Sequence, residues 1–152
     1  MRFFAEDVHK HGVETALAHE RVVFRVMLDG KPVDAVSIHP FTPNANINSR
    51  DGEFAAIAAR FAAEKPERLV IMGDFNATPW CPAMKQLVKA LQLRNARTGR
   101  GINTTWPAFF PFLFRIPIDH VLVSANLGVA DFGAQRRVGS DHLPTLTVLY
   151  LK

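Results

Sequence analysis

The sequence has very little cysteine and no long hydrophobic run. Cys81 is the single cysteine among 152 residues, so the chain cannot form an internal disulfide and its fold does not depend on an oxidising compartment. Every apolar run is shorter than the roughly 20 residues that a membrane-spanning helix needs, so we expect no membrane insertion by this chain. Residues 1–20 also lack the basic and apolar regions of a signal peptide.

The charge balance is moderately basic. The chain has 18 Lys and Arg against 14 Asp and Glu, which gives a formal net charge of +4. A basic surface suits polyanionic partners such as nucleic acid or anionic lipid headgroups, although solvated surface charge explains the same composition equally well. Composition therefore favours nucleic acid only weakly. It leaves the compartment open, including the bacterial cytoplasm and a membrane-associated parent protein.

The hydrophobic pattern predicts one α/β domain over residues 21–152, preceded by a poorly defined segment, residues 1–20. Asp29-Gly30 is a hairpin signal, because glycine tolerates a positive φ. We predict a loop at 41–49, followed by a helix that Ser49 or Asp51 caps. The predicted strands are 21–28, 33–38, 69–72, 118–124 and 143–149, and the predicted helices are 51–65 and 82–91.

Polar residues that can bind metals or transfer protons occur where the predicted strands begin or end. Such strand-end loops are where α/β sheets place their ligands. Each residue alone has an ordinary explanation as a turn residue, a helix cap or a surface side chain, but the combination indicates one site. The set comprises His39, Asp74, Asn76, Asp119, Asp141 and His142.

This set of side chains suits the hydrolysis of a phosphate ester. Mg²⁺ prefers carboxylate oxygens, and a bound ion neutralises charge that develops on phosphoryl oxygens. A histidine paired with an aspartate has a fixed tautomer and can act on water or on the phosphate. An asparagine can hold the attacking water or a phosphoryl oxygen without adding negative charge.

Four segments, in this order, resemble motifs of the endonuclease/exonuclease/phosphatase superfamily, whose members have the DNase I-like fold. Ser-Ile-His-Pro (37–40) resembles its strand-end histidine motif, and the segment 69–79 resembles its Gly-Asp-Phe-Asn signature. Segments 118–124 and 139–144 resemble its second motif and its terminal Ser-Asp-His motif. The resemblance implies a four-layer α/β sandwich, in which two mixed β-sheets are flanked by helices.

The resemblance also implies a role for each matching residue. His142 is implied as the general base near the scissile phosphate, and Asp119 as the residue that orients it. Asp74 and Asn76 are implied to position the nucleophile and the phosphate and, with Asp141, to hold Mg²⁺ or Mn²⁺. His39 is implied to contact the phosphate or to assist the leaving group.

Four further residues have two interpretations each. Trp106 and the Phe-rich stretch after it are expected to pack in the core, with a wall for a sugar or base as the alternative. Arg97 and Arg100 are candidate phosphate contacts or solvated loop residues. His120 should point to the face of its strand opposite Asp119, where packing is the favoured role.

One departure from the family pattern concerns the N-terminal half. Complete members begin with a strand that bears Asn and then supply a metal-binding Glu, and neither motif precedes His39 here. We therefore expect weak metal affinity and an incomplete sandwich, completed by the missing half or by a dimer mate. The main hypothesis is a metal-dependent phosphoesterase, and the alternative is a catalytically silent fragment that binds nucleic acid or a partner.

Overall fold

The computed structural model describes residues 22–152, without the side chains of residues 43–46. The predicted N-terminal segment 1–20 therefore lies outside the described residues. The strands are β1 Val22–Leu28, β2 Lys31–Ile38, β3 Leu69–Asp74, β4 Arg94–Asn95, β5 Asp119–Val123, β6 Leu127–Ala134 and β7 Thr145–Leu151. The helices are α1 Pro43–Glu64 and α2 Pro82–Ala90, and a short 3-10 turn covers Phe112–Phe114.

The first two strands form the predicted hairpin. Asp29 and Gly30 have φ angles of 48° and 76°, the two positive values that a tight two-residue hairpin turn requires. Val22 pairs with Ser37 and Leu28 with Lys31, so the register is continuous along the whole hairpin. The Asp-Gly dipeptide was therefore a sufficient signal for this element.

A five-stranded mixed sheet, in the order β1-β2-β3-β5-β4, organises the described part of the chain. Strands β2 and β3 are parallel and are connected by α1, whereas β5 runs antiparallel to β3. Helices α1 and α2 pack on one face, where Phe54, Ile57 and Phe61 of α1 meet Ile71 and Leu122 of the sheet. The sheet thus needs apolar residues on both faces of its central strands.

The opposite face is covered by a second sheet, the antiparallel pair β6-β7. Its Leu127, Val129 and Leu149 pack with Val70 and Val123 from the larger sheet. Residues 22–152 therefore form three layers of the predicted sandwich, namely helices, mixed sheet and second sheet. None of the helices in this part of the chain has the length and apolarity needed to cross a bilayer.

The start of the first helix was predicted wrongly. Helix α1 begins at Pro43 after an extended Thr42, so residues 43–49 are helical and neither Ser49 nor Asp51 caps the helix. Proline suits the first helical position because its φ angle is already helical and its missing N–H is not needed there. Asn and Ser in the first two turns concealed this start, because they favour turns.

Strand β6 was not predicted at all. Its sequence LGVADFGA contains two glycines, and a register shift between Val129 and Asp131 interrupts the alternation of buried and exposed residues. A bulge of this kind removes the period-two pattern by which a strand is recognised. Strand β7 also begins two residues later than predicted, at Thr145, directly after Pro144.

Candidate active site at the sheet edge

Sheet register brings the predicted site residues to one edge. Ile38 pairs with Gly73 across the parallel strands, so His39 follows β2 directly beside the end of β3. Asp74 pairs with Asp119 across the antiparallel strands. His142 reaches the same edge from the loop between β6 and β7. The site therefore takes Asp74, Asp119 and His39 from strand ends of the larger sheet, and His142 from the loop that connects the two strands of the smaller one.

Gly73 permits the close approach of β2 and β3 at this edge. Its φ angle is 140°, which side-chain-bearing residues rarely adopt, and a Cβ atom built there would lie 2.0 Å from the carbonyl oxygen of Ile38. Any other residue would push the two strands apart. The glycine that precedes Asp74 is thus a requirement of the backbone.

His142 and Asp119 form a hydrogen-bonded pair. The distance between His142 Nδ1 and Asp119 Oδ2 is 3.0 Å. Because a carboxylate oxygen accepts, Nδ1–H must donate, which leaves Nε2 directed into the site. His142 Nε2 lies 3.7 Å from Asp74 Oδ2. The pair has the geometry of a base held in one tautomer by an acid.

Asp74 is the acid at the centre of the cluster. Its Oδ1 accepts a 2.8 Å hydrogen bond from the backbone N–H of Asn76, and its Oδ2 lies 3.6 Å from His39 Nε2. Burial raises the pKa of Asp74 above its ordinary value, and the negative charge of Asp119 acts in the same direction. The Asn76 N–H and the two histidines oppose this shift, because each of them stabilises the charged carboxylate.

Asn76 is held from two directions in a left-handed conformation. Its φ angle is 47°, a region that asparagine tolerates better than most residues. Its side-chain Nδ2 donates to the Pro40 carbonyl over 2.9 Å, which joins the loop after β3 to the loop after β2. Its own carbonyl accepts a 3.0 Å hydrogen bond from Arg50 Nη1.

Arg50 is a positioning residue that the sequence analysis missed. The side chain is buried on α1, and its guanidinium also pairs with Asp51 at 2.7 Å. Arg50 lies four and seven residues before Phe54 and Ile57, so it shares their buried helical face. An arginine at the helical spacing of buried apolar residues could have indicated this role. The helix was predicted to begin only at residue 51, after a loop at 41–49, so Arg50 was not assigned to it.

His120 supports the same loop from the opposite face of β5. It is 1% exposed, as the alternation along the strand predicts for a packing residue. Its Nε2–H donates to the Ala77 carbonyl over 2.8 Å, so Nδ1 accepts from Asn95 Nδ2 at 3.0 Å. Burial lowers the pKa of His120 to about 4, and the nearby positive charge of Arg97 contributes.

Trp106 lies at the rim of the site. Its indole Nε1 donates to Asp141 Oδ2 over 3.3 Å, and its ring lies 6.4 Å from the His142 ring between centroids. The Ala108 N–H donates to the Asp141 carbonyl, and the Leu143 N–H donates to the Thr105 carbonyl. The segment around Trp106 therefore fixes the backbone on both sides of His142.

The Phe-rich stretch after Trp106 does not pack in the core. Phe109, Phe110, Phe112 and Phe114 are all exposed, so the expectation of core packing was wrong for them. Aromatic residues are usually buried because they remove a large apolar area from water. Pro107 and Pro111 break the stretch into turns that direct these side chains outward.

The two candidate arginines occupy different environments. Burial lowers the pKa of Arg97, which lies close enough to His120 to influence its pKa. The Arg100 guanidinium donates to the carbonyls of Ala96, Thr98 and Val129, so it ties the turn after β4 to β6. Substrate binding by Arg97 and Arg100 stays a prediction.

The predicted metal ligands do not form a complete metal site by themselves. Asp74 and Asn76 lie at the sheet edge, whereas Asp141 is exposed and shares its Oδ2 with the Trp106 indole. Within residues 22–152, no three His, Cys, Asp or Glu side chains converge so that they could hold an ion. Mg²⁺ keeps several water ligands in proteins, so Asp74, Asn76 and Asp141 would supply only part of its coordination.

Comparison with known proteins decides the family. The model of the endonuclease/exonuclease/phosphatase family matches residues 5–142, which include every site residue described above. The chain belongs to this family. No curated relative matches the sequence. The family match begins within the segment 1–20, and the division at residue 21 stays a prediction.

Solved structures of this family share the fold. A mannosyl-6-phosphatase from Bacteroides thetaiotaomicron has a TM-score of 0.70 at 18% identity, with 86% of this chain and 56% of that chain covered. The human Nocturnin catalytic domain, with bound sulfate, has a TM-score of 0.68 at 18% identity over 87% and 52%. TDP2 from D. rerio, complexed with a single-stranded DNA product, has a TM-score of 0.66 at 13% identity over 86% and 61%.

These likenesses establish the DNase I-like α/β fold. The chain spans about half the length of the first solved structures that it matches, namely 55%, 54% and 55%. The predicted family resemblance and the predicted fold class are therefore confirmed. At these identities the likeness shows the fold alone.

Proposed function

We propose that the protein hydrolyses phosphate esters with His142 as the general base and Asp119 as its partner. The observation that carries the proposal is the 3.0 Å His142–Asp119 hydrogen bond at the sheet edge, with His142 Nε2 turned towards Asp74. The family to which the chain belongs consists generally of hydrolases of phosphate esters. Hydrolysis of this bond class is thus the function that family and geometry both support.

Each of the described residues has its own role in the proposed reaction. His142 Nε2 takes a proton from the attacking water, and Asp119 stabilises the imidazolium that forms. One hydrogen of the Asn76 side-chain amide is donated to the Pro40 carbonyl, and the second hydrogen is offered to a phosphoryl oxygen. Arg50 holds the loop that carries Asn76. His39 contacts the phosphate or donates a proton to the leaving oxygen.

We propose Mg²⁺ or Mn²⁺ as the cofactor, because enzymes of this family are typically dependent on divalent metals. A bound ion would neutralise charge on the phosphoryl oxygens. Asp74, Asn76 and Asp141 are the proposed ligands from this chain. We propose that the remaining ligands come from a further segment of the domain or from a dimer mate, so metal affinity of this chain alone should be weak.

The substrate is a phosphodiester of nucleic acid or of a phospholipid headgroup, or a phosphomonoester. One structural neighbour is described as a mannosyl-6-phosphatase, and another holds a single-stranded DNA product. The net charge of +4 favours nucleic acid weakly.

A second candidate function is binding without turnover. The observation that favours it is the lack of three converging metal-binding side chains within residues 22–152. Such a protein would be a silent fragment that holds nucleic acid or a partner. The intact His142–Asp119 pair favours the enzyme instead.

The deciding experiment measures hydrolysis of supercoiled plasmid and of an aryl phosphodiester, with Mg²⁺, with Mn²⁺ and with chelator. His142→Ala should lose metal-dependent turnover. Lys85→Ala, an exposed change on α2, serves as the matched control. Equal rates in wild type and His142→Ala, with both proteins folded by circular dichroism, would reject the proposal and favour the binding module.

A further inference from the structure

A pocket lies beside β4, between α2 and the second sheet. It has a volume of about 460 Å³, which is within the range of pockets that hold small ligands. Helix α2 forms one wall, β4 and the turn after it form the next, and Val129 of β6 lies on the other side. Because β4 is an edge strand among residues 22–152, no further strand fills this space. The described lining includes none of the residues of the catalytic cluster, so this pocket is a separate site.

The chain around this pocket carries an unbalanced positive charge. Residues 75–118 contain six Lys and Arg and no Asp or Glu, whereas the whole chain has 18 of the former and 14 of the latter. Lys89, Arg94 and Arg100 are among the lining residues, and no acid is among them in the described part of the chain. Cations of one sign in a concave surface attract anions, because low-dielectric walls focus their field. The charge of this basic pocket therefore indicates an anionic ligand.

The two arginines of the basic pocket are held in place without losing their charge. Arg94 Nη2 donates to the Leu127 carbonyl over 2.9 Å, and Arg100 Nη2 donates to the Val129 carbonyl. Arg60 on α1 is different, because it pairs with a carboxylate four residues further along its helix. A carbonyl does not neutralise a guanidinium, which has five N–H donors, so donors and charge remain for an anion. A cation that is already ordered loses little conformational freedom when a ligand binds.

The apolar part of the basic pocket indicates the rest of the ligand. Its apolar lining residues are Met84, Val88, Leu93 and Val129. These side chains favour an apolar group, and they offer no partner to a second charged group. Several cations together suit a phosphate better than a carboxylate, because a phosphate monoester carries more than one negative charge near neutral pH. The limited volume fits a small molecule that combines both groups.

We propose that the basic pocket binds a small organic phosphate, that is, a phosphate group joined to an apolar group. Lys89, Arg94 and Arg100 surround the phosphate. Met84 and Val88 contact the apolar group. The ligand binds apart from the catalytic pair, so this site does not depend on the hydrolase function and is tested separately from it.

Titration of the full chain with phenylphosphonate tests the proposal. This probe combines an apolar ring with a charged phosphonate and has no ester bond to hydrolyse. With isotope-labelled methionine methyl groups and chelator present, the NMR signal of Met84 should move, whereas that of Met27 on the opposite edge strand β1 should not. Inorganic phosphate should bind about tenfold more weakly, because it lacks the ring that leaves water. An unmoved Met84 signal, or equal binding of the two anions, would overturn the proposal.

Charge variants locate the ligand. Lys89→Gln should weaken phenylphosphonate binding about threefold and Lys89→Glu about tenfold, and both should fold because Lys89 is exposed. Lys31→Gln, an equal charge change at an exposed position of β2, should bind like wild type. His142→Ala should also bind like wild type, since the catalytic cluster does not line the pocket.

Three results of these experiments would contradict the basic pocket as the binding site. Equal losses in Lys31→Gln and Lys89→Gln would mean unspecific attraction to a basic protein. Lost binding in His142→Ala would place the phosphonate in the catalytic site. A single-stranded oligonucleotide that moves the Met84 signal when phenylphosphonate does not would identify a nucleic-acid surface instead.

Discussion

His142 and His120 lie on opposite sides of the same strand end, and their surroundings give them opposite roles. His142 is partly exposed and paired with Asp119, whereas His120 is buried between the Ala77 carbonyl and the Asn95 amide. Asp119 and His120 are adjacent in sequence, and the alternation of β5 sends one to the reaction side and the other to the packing side. A histidine is thus a base or a support according to what surrounds it.

The largest effect is expected on the hydrolysis rate when Asp119, on the reaction side of β5, is changed. Asp119→Asn should lower the hydrolysis rate about a thousandfold, because an amide no longer fixes the His142 tautomer or stabilises its charged form. The measurement is the turnover of an aryl phosphodiester at saturating Mn²⁺. Asp131→Asn, at an exposed acid of β6, should retain activity. A small effect of Asp119→Asn would remove the contrast between the two histidines.

The second prediction concerns the pH dependence that His120 imposes. Its pKa is about 4 when folded and about 6.5 when unfolded, so only the unfolded chain takes up the proton as pH falls through this window. Stability should therefore be unaffected above pH 6.5 and fall by about 3 kcal/mol towards pH 4. Urea unfolding of wild type and His120→Gln at several pH values isolates this term. Parallel curves for the two proteins would show that His120 is not held neutral.

A third prediction tests whether Arg50 stabilises the loop that carries Asn76. Arg50→Met should destabilise the fold by about 2 kcal/mol, because the Asn76 carbonyl loses its buried donor. Turnover should fall as well, since Asn76 is no longer fixed. Arg60→Met, at an exposed i,i+4 pair of the same helix, should cost at most about 0.5 kcal/mol in urea unfolding. Equal losses in both variants would deny Arg50 a special role.

The smallest expected effect is a gain in stability at Asp74. Burial raises its pKa, so the charged form is disfavoured in the folded state, and stability falls as pH rises through the folded pKa. Asp74→Asn should thus unfold at a slightly higher temperature than wild type at pH 7.5, while its turnover is lost. A lower melting temperature would show that the Asn76 N–H, together with His142 and His39, outweighs burial.

The sequence was sufficient for elements whose signals are local. The Asp29-Gly30 turn, the apolar β3 strand and the polar residues at strand ends could all be predicted, because each depends on neighbours in the chain. The bulge in β6 removed the alternation that identifies a strand, and so this strand was missed.

The remaining errors concern tertiary surroundings. Arg50 was missed because the two partners that tie it to the site, the Asn76 carbonyl and Cys81, are distant in sequence. The Phe-rich stretch after Trp106 was expected inside because phenylalanine is usually buried, and the turns at Pro107 and Pro111 expose it. Local sequence patterns therefore identify the residues that react. The residues that hold them in place, and the exposure of the phenylalanines, are visible only in the folded structure.

The central claim is that His142 and Asp119 act as one unit, and a double-mutant cycle tests it most directly. Turnover of an aryl phosphodiester is measured for wild type, His142→Ala, Asp119→Asn and the double variant at saturating Mn²⁺. The double variant should be no slower than the slower single variant, because removal of either member already disables the pair. Losses that multiply in the double variant would show that the two residues act independently and would contradict this account.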